Sequence, residues 1–171
     1  DMLIGRGPEN DSSSVVIGLN ASPNSTSGLS NTFVGYGVAY QNSATSYNAG
    51  FGINALLNNS GNHNFVACNG AMQSTNSGNN NVAIGQSCLS SNTTGSYNTA
   101  IGNQAGLANT SGANNTSVGY QALANTTSVS NNTAIGSQAL LNSNAANNTA
   151  VGYQAGYTNS TGTSNAFVGM Y

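Results

Sequence analysis

Charge is what this sequence has least of. Only 2% of its 171 residues are charged, lysine and tryptophan are absent, and Asp1, Arg6, Glu9 and Asp11 carry every formal charge within the first eleven positions. Phosphate recognition draws on Lys and Arg, so we expect no nucleic-acid partner. No carboxylate side chain follows Asp11, and the one histidine, His63, stands alone in Gly61-Asn62-His63-Asn64. Paired-acid catalysis, a nucleophile with its base, and clustered metal ligands are therefore all missing, and we expect no catalytic residue, no cofactor and no metal. Asp1, Glu9 and Asp11 read as an exposed terminal segment and His63 as a solvated loop residue. No apolar run approaches the roughly 20 residues of a membrane helix, so no membrane insertion is expected. Nothing at the start reads as a signal peptide and the chain does not open on methionine, which reads as a processed product or an excised fragment.

What fills the space is Asn, Ser, Thr, Gly and Ala, with Ile, Val and Leu at fixed intervals, a regularity that separates the chain from disordered polar sequences. Asn98-Thr99-Ala100-Ile101-Gly102-Asn103-Gln104-Ala105-Gly106 returns as Asn115-Thr116-Ser117-Val118-Gly119-Tyr120-Gln121-Ala122-Leu123, and Gly119 minus Gly102 gives a period of 17. The same glycine position runs Gly5, Gly18, Gly35, Gly52, Ala67, Gly85, Gly102, Gly119, Gly136, Gly152 and Gly169, with a short first step of 13 and a step of 15 into Ala67. Between the blocks recur Asn92-Thr93-Thr94-Gly95, Asn109-Thr110-Ser111-Gly112 and Asn159-Ser160-Thr161-Gly162. A period of this size marks a solenoid, in which each repeat buries its apolar face only by stacking on its neighbours. The whole of 1–171 reads as one such domain, with 1–12 a degenerate, charged first repeat.

Each apolar block is short, rich in Thr, Ile and Val, and closed on both sides by Gly and Asn, which predicts strands and not helices. The Asn-[Ser/Thr]-[Ser/Thr]-Gly element supplies the turn between them. Side chains alternate along a strand, so the block divides into two columns. We assign the interior to the column Ile17, Val34, Phe51, Val66, Ile84, Ile101, Val118, Ile135, Val151 and Val168. The opposite column, Phe33, Phe65, Ala83, Ala100, Ser117, Ala134, Ala150 and Phe167, is also small or apolar, which predicts burial of both faces and packing of several chains along a common axis. Asn20, Asn54, Asn69, Gln104, Gln121, Gln138 and Gln154 form an amide column, either a hydrogen-bonded ladder or an exposed polar row. Cys68 and Cys88 sit on a diagonal of about 8 Å, which favours two small buried thiols over a bridge.

The blocks Asn81-Val82-Ala83-Ile84-Gly85, Asn132-Thr133-Ala134-Ile135-Gly136 and Asn148-Thr149-Ala150-Val151-Gly152 resemble the head repeats of trimeric autotransporter adhesins and the shaft repeats of tail-fibre-like proteins of bacteria and phages. The resemblance covers nearly the whole chain after about residue 12 and implies an all-β, left-handed, trimeric parallel β-roll on an extracellular, cell or virion surface. This chain departs from the adhesin pattern in its longer repeat and in the Thr that commonly replaces Val before Ala. The resemblance and the repeat together lead to the expectation of a structural fibre or adhesin shaft segment that associates with itself and presents a cell-surface or glycan target. Two further readings stay open, a homopolymeric end-to-end filament and an ice-binding solenoid, the second lowered by Thr sharing a face with interior Ile. Sequons at Asn92, Asn109, Asn114, Asn125, Asn131 and Asn159 are candidate glycosylation sites, several of them in the expected turns.

Overall fold

The computed structural model describes residues 4–5, 13–24, 27–74 and 76–170. Asp1, Arg6, Glu9 and Asp11, and with them most of the degenerate repeat assigned to 1–12, lie outside the described residues. The described chain is a parallel β-solenoid. Its strands are β1 (Ile4–Gly5), β2 (Val15–Ile17), β3 (Thr32–Val34), β4 (Ala49–Phe51), β5 (Phe65–Ala67), β6 (Val82–Ile84), β7 (Thr99–Ile101), β8 (Thr116–Val118), β9 (Thr133–Ile135), β10 (Thr149–Val151) and β11 (Ala166–Val168). They form one sheet in sequence order. From β2 to β11 every pairing is parallel and in register, so Thr99 lies between Val82 and Thr116, and Ile101 between Ile84 and Val118. Only β1 runs antiparallel, with Ile4 opposite Ile17 and Gly5 opposite Val16, so Gly5 does not open a coil of the parallel stack.

The glycine after each strand is demanded twice. Gly102 has φ +130°, and a β-carbon there would stand 2.6 Å from the Gly119 carbonyl oxygen of the next coil, so both the backbone angle and the coil spacing exclude a side chain. Ala67 is not the fifth member of this column. It pairs with Phe51 and Ile84 at the end of its strand, and Cys68 takes the glycine position at φ +94°. The steps from 52 to 68 and from 68 to 85 are thus 16 and 17 residues, close to the rest. Three further columns sit in the left-handed region, passing through Gln104, Leu123 and Asn114. Asn and Gly tolerate that conformation, and a solenoid corner needs it, so the coil bends wherever the columns recur.

The interior is the reverse of the sequence assignment. The middle residue of each strand points inward: Phe33, Val66, Ala83, Ala100, Ser117, Ala134 and Ala150 are buried. The Ile/Val column lies on the outer face, where Ile101, Ile135, Val151 and Val168 are exposed and Ile17, Val34, Phe51, Ile84 and Val118 are half-buried. Val66 alone of that set is inside, because the correct register places it between Gly50 and Ala83; Phe65, assigned to the opposite column, is outside. The physical reason is the narrow cross-section. Across from the strands stand the buried columns Val38, Ala55, Ala71, Cys88, Ala105, Ala122, Ala139 and Ala155, and Leu56, Met72, Leu89, Leu123 and Leu140. They leave room for little more than a methyl group at most coils: a β-carbon on Gly50 would come 2.7 Å from Val38. The expected pair of buried thiols is half met, with Cys88 buried, Cys68 exposed and both free.

Candidate interaction surface

Asparagine fixes the position of the outer face. The residue before each strand, from Asn31 through Asn48, Asn64, Asn81, Asn98, Asn115, Asn132 and Asn148 to Asn165, turns into the coil. The Asn115 N–H donates to Asn98 Oδ1 at 3.0 Å, and this contact recurs from coil to coil at 2.9–3.0 Å. The amide end reaches across the coil, Asn98 Nδ2 donating to the Gly112 carbonyl at 2.8 Å and Asn81 Nδ2 to that of Gly95 at 3.0 Å. From Asn31 to Asn115 these asparagines thereby tie one coil to the next and the strand to the corner, which satisfies buried polar groups that would otherwise cost about 1–3 kcal/mol apiece. Sequence reasoning read these asparagines only as part of a consensus; the signal that marks them is an amide repeated before every strand from β3 to β11, a place that Ser14 takes before β2.

A second ladder follows the corners, with Asn92 Nδ2 donating to Asn76 Oδ1 and Asn109 Nδ2 to Asn92 Oδ1, both at 3.0 Å. The amide column is a ladder where glutamine carries it: Gln121 donates to Gln104, Gln138 to Gln121 and Gln154 to Gln138 at 2.8–3.0 Å. Asn20 and Asn54 share that left-handed column, while Asn69 falls one residue short and Gly70 takes the place.

These ladders leave the outside of the sheet as a ruled surface. The first strand residue contributes Thr32, Thr99, Thr116, Thr133 and Thr149, the third the Ile/Val column, and the residue after the glycine Leu19, Tyr36, Ile53, Asn103, Tyr120 and Tyr153. Towards β2–β5 the surface is strongly apolar, with Val15, Leu19, Tyr36, Ile53 and Phe65 exposed and the Phe51 and Phe65 rings 6.0 Å apart. Towards β7–β10 it becomes an alternation of hydroxyl and aliphatic columns. His63 lies at the neighbouring corner, stacked on Tyr47 with ring centroids 4.8 Å apart, and no grouping of His, Cys, Asp or Glu among the described residues could hold a metal.

The sequons divide by column. Asn92 and Asn109 are buried in the corner ladder and are not accessible for modification, because the turn they open faces inward. Asn159 is half-buried and closed on Gly162 by two hydrogen bonds. Asn114, Asn125 and Asn131 are exposed. Compared with models of known protein families, with curated proteins and with solved structures, the chain matches none. The fold itself therefore defines the class, a parallel β-solenoid with a roughly 17-residue coil.

Proposed function

We propose that the chain is a structural fibre or shaft segment that acts outside the cell, on a cell or virion surface, as a rigid, non-catalytic rod that associates with copies of itself. The observation that carries this reading is the outer sheet face, an apolar column in register from Ile17 to Val168, half-buried at Ile17, Val34, Phe51, Ile84 and Val118 and exposed at Ile101, Ile135, Val151 and Val168. Exposed apolar surface of this extent marks an association site. A face ruled in straight columns, with no charged side chain after Asp11 to oppose a partner, meets an identical face without a mismatch of register. Three chains around a common axis would turn the three aliphatic columns towards one another, as the resemblance of the repeat to adhesin heads and tail-fibre shafts suggests. Sedimentation equilibrium is expected to give three copies. The Ile101→Lys/Ile135→Lys variant should sediment as one copy with its circular dichroism unchanged. A wild-type chain that stays single at high concentration would overturn the proposal.

A second reading, an ice-binding solenoid, gains from one observation. Thr99, Thr116, Thr133 and Thr149 stand beside Ile101, Val118, Ile135 and Val151 on the outside of the sheet, so the objection that these threonines face the interior falls away. Thermal hysteresis and inhibition of ice recrystallisation by the wild-type chain, lost in Thr116→Lys, would favour it; their absence would leave the fibre reading alone.

A further inference from the structure

One corner column carries aromatic rings that the coil does not need. Two places before each strand from β3 to β11 stands a residue in the left-handed region, at φ +57° to +63°. Ser or Asn fills that place in most coils, and a short polar side chain tolerates the angle. Tyr47, His63 and Tyr97 fill it in the others. A bulky ring at such an angle is an outlier that the rest of the coil has to sustain. Elsewhere in the coil the same angle is offset by what the side chain does: Leu56 and Leu123 pack in the core, and the glutamines form their ladder. The corner rings are instead left in solvent. Tyr47 and Tyr97 are 57% and 63% exposed, His63 is exposed, and none of the three side chains makes a hydrogen bond within the described chain.

The column is straight. His63 N–H donates to the Ser46 carbonyl, Asn80 to that of Asn62, Tyr97 to that of Asn79 and Asn114 to that of Ser96, all at 3.0–3.2 Å. Successive members therefore follow one another at the coil spacing of about 4.8 Å, and the Tyr47 and His63 rings, parallel to within 13°, stack at 4.8 Å. Tyr97 stands two coils beyond His63, about 10 Å further along, with Asn80 between them and Asn114 on its other side. Both amides are exposed and neither side chain bonds within the described chain, whereas Asn131, further along the column, donates to Asn147. The row thus intersperses rings with unengaged carboxamides, each a donor and an acceptor, and no Asp, Glu, Lys or Arg occurs in the chain after Asp11.

We propose that Tyr47, His63, Asn80, Tyr97 and Asn114 form a binding row for a neutral, extended, β-linked glycan lying along the rod. A pyranose ring offers an apolar C–H face to an aromatic ring and a rim of hydroxyls to planar amides, and the row supplies both partners in turn. A strip without formal charge suits an uncharged polymer, since an anionic chain would find no cation here and a cationic chain no anion. A chain of the cellulose or chitin type is a flat, straight ribbon in which equivalent ring faces recur at every second sugar, close to the two-coil distance of about 10 Å from His63 to Tyr97. The intervening sugar then falls at Asn80. A curved, α-linked chain leaves a straight row after one contact. The row lies on the corner and not on the sheet face through which copies would associate, so it goes beyond the fibre reading and is tested apart from it.

The test uses the full chain made in bacteria, so that Asn114 carries no sugar. Isothermal titration with cellohexaose and chitohexaose should show binding by at least one of them, and maltohexaose should bind about tenfold more weakly or not at all. Tyr97→Asn installs the residue of Asn80 and Asn114, so it should melt no lower than the wild type while weakening binding by about tenfold or more. Tyr47→Asn should weaken it likewise with its circular dichroism unchanged, and Tyr97→Phe, which keeps the ring, should keep the binding. The proposal is overturned if neither β-linked hexasaccharide binds, if maltohexaose binds equally, if the folded asparagine variants bind as the wild type does, or if an oligoproline peptide binds in place of the sugars. Sedimentation of the same samples reads self-association separately, so failure of the fibre reading and failure of this site are distinguishable.

Discussion

Cys68 occupies a place that glycine holds in the other coils, with φ +94° where the glycines lie between +122° and +139°. A side chain in that region is strained by about 1–2 kcal/mol, and the deficit is local because the thiol is exposed and makes no bridge. Cys68→Gly is therefore expected to raise stability by about 1 kcal/mol in urea unfolding. Cys88 is the opposite case. Desolvation by burial raises its thiol pKa from 9.0 to about 11, against hydrogen bonds with the Ala105 and Gly102 backbone. The native state thus holds the proton more tightly than the unfolded chain. The stability this contributes is complete below pH 9 and is lost as pH rises through about 11. Cys88→Ala, which restores the residue of Ala105 and Ala122, should flatten that alkaline loss. The sequence displayed the glycine column but not which residue filled its fifth place, because Ala67 is chemically the better substitute and only the strand register reveals that Cys68 bears the angle.

Between neighbouring coils the asparagine ladder adds to the apolar contacts of a core that is only a few small side chains wide. Asn98→Ala would leave the Asn115 N–H without its partner and take from the Gly112 carbonyl one of its two donors, Asn109 Nδ2 remaining, at a cost of about 1–3 kcal/mol. Asn125→Ala, at an exposed position, should stay within about 0.5 kcal/mol; equal effects in thermal unfolding would contradict the ladder's role. The core is also discontinuous: one apolar cluster ends at Ala105 and another begins at Ala122. Gly106 and Ser117 lie at this seam, beside a small void lined by Leu89, Leu123 and Thr126. Ser117 donates only a long 3.3 Å hydrogen bond to the Thr99 carbonyl, while Ala100 and Ala134 hold the same position in the adjacent coils. Ser117→Ala is accordingly expected to be neutral or stabilising by less than about 1 kcal/mol, read by the same unfolding. Strands, turns and the period were readable from the alternation of Thr, Ala and Ile and from the closing glycines. The inward face was not, because size and hydrophobicity point to Ile and Val for a core, whereas this narrow coil admits Ala.

At the scale of the whole molecule, the sequons test the fold independently of any partner. When the chain is expressed through a eukaryotic secretory pathway, the folded product should carry sugars at Asn114, Asn125 and Asn131 and none at Asn92 or Asn109, whose amides are engaged inside the corners. Site mapping by mass spectrometry that found Asn92 occupied in folded protein would contradict the buried ladder. One consequence of the in-register stack reaches into inheritance. Because each strand pairs only with the strand before and the strand after it, a tandem duplication or loss of one 17-residue unit changes the length of the rod by one coil and alters contacts only at the join. Gain or loss of a repeat would then act as a ruler adjustment, lengthening or shortening the protein in steps of about 4.8 Å without requiring a new fold.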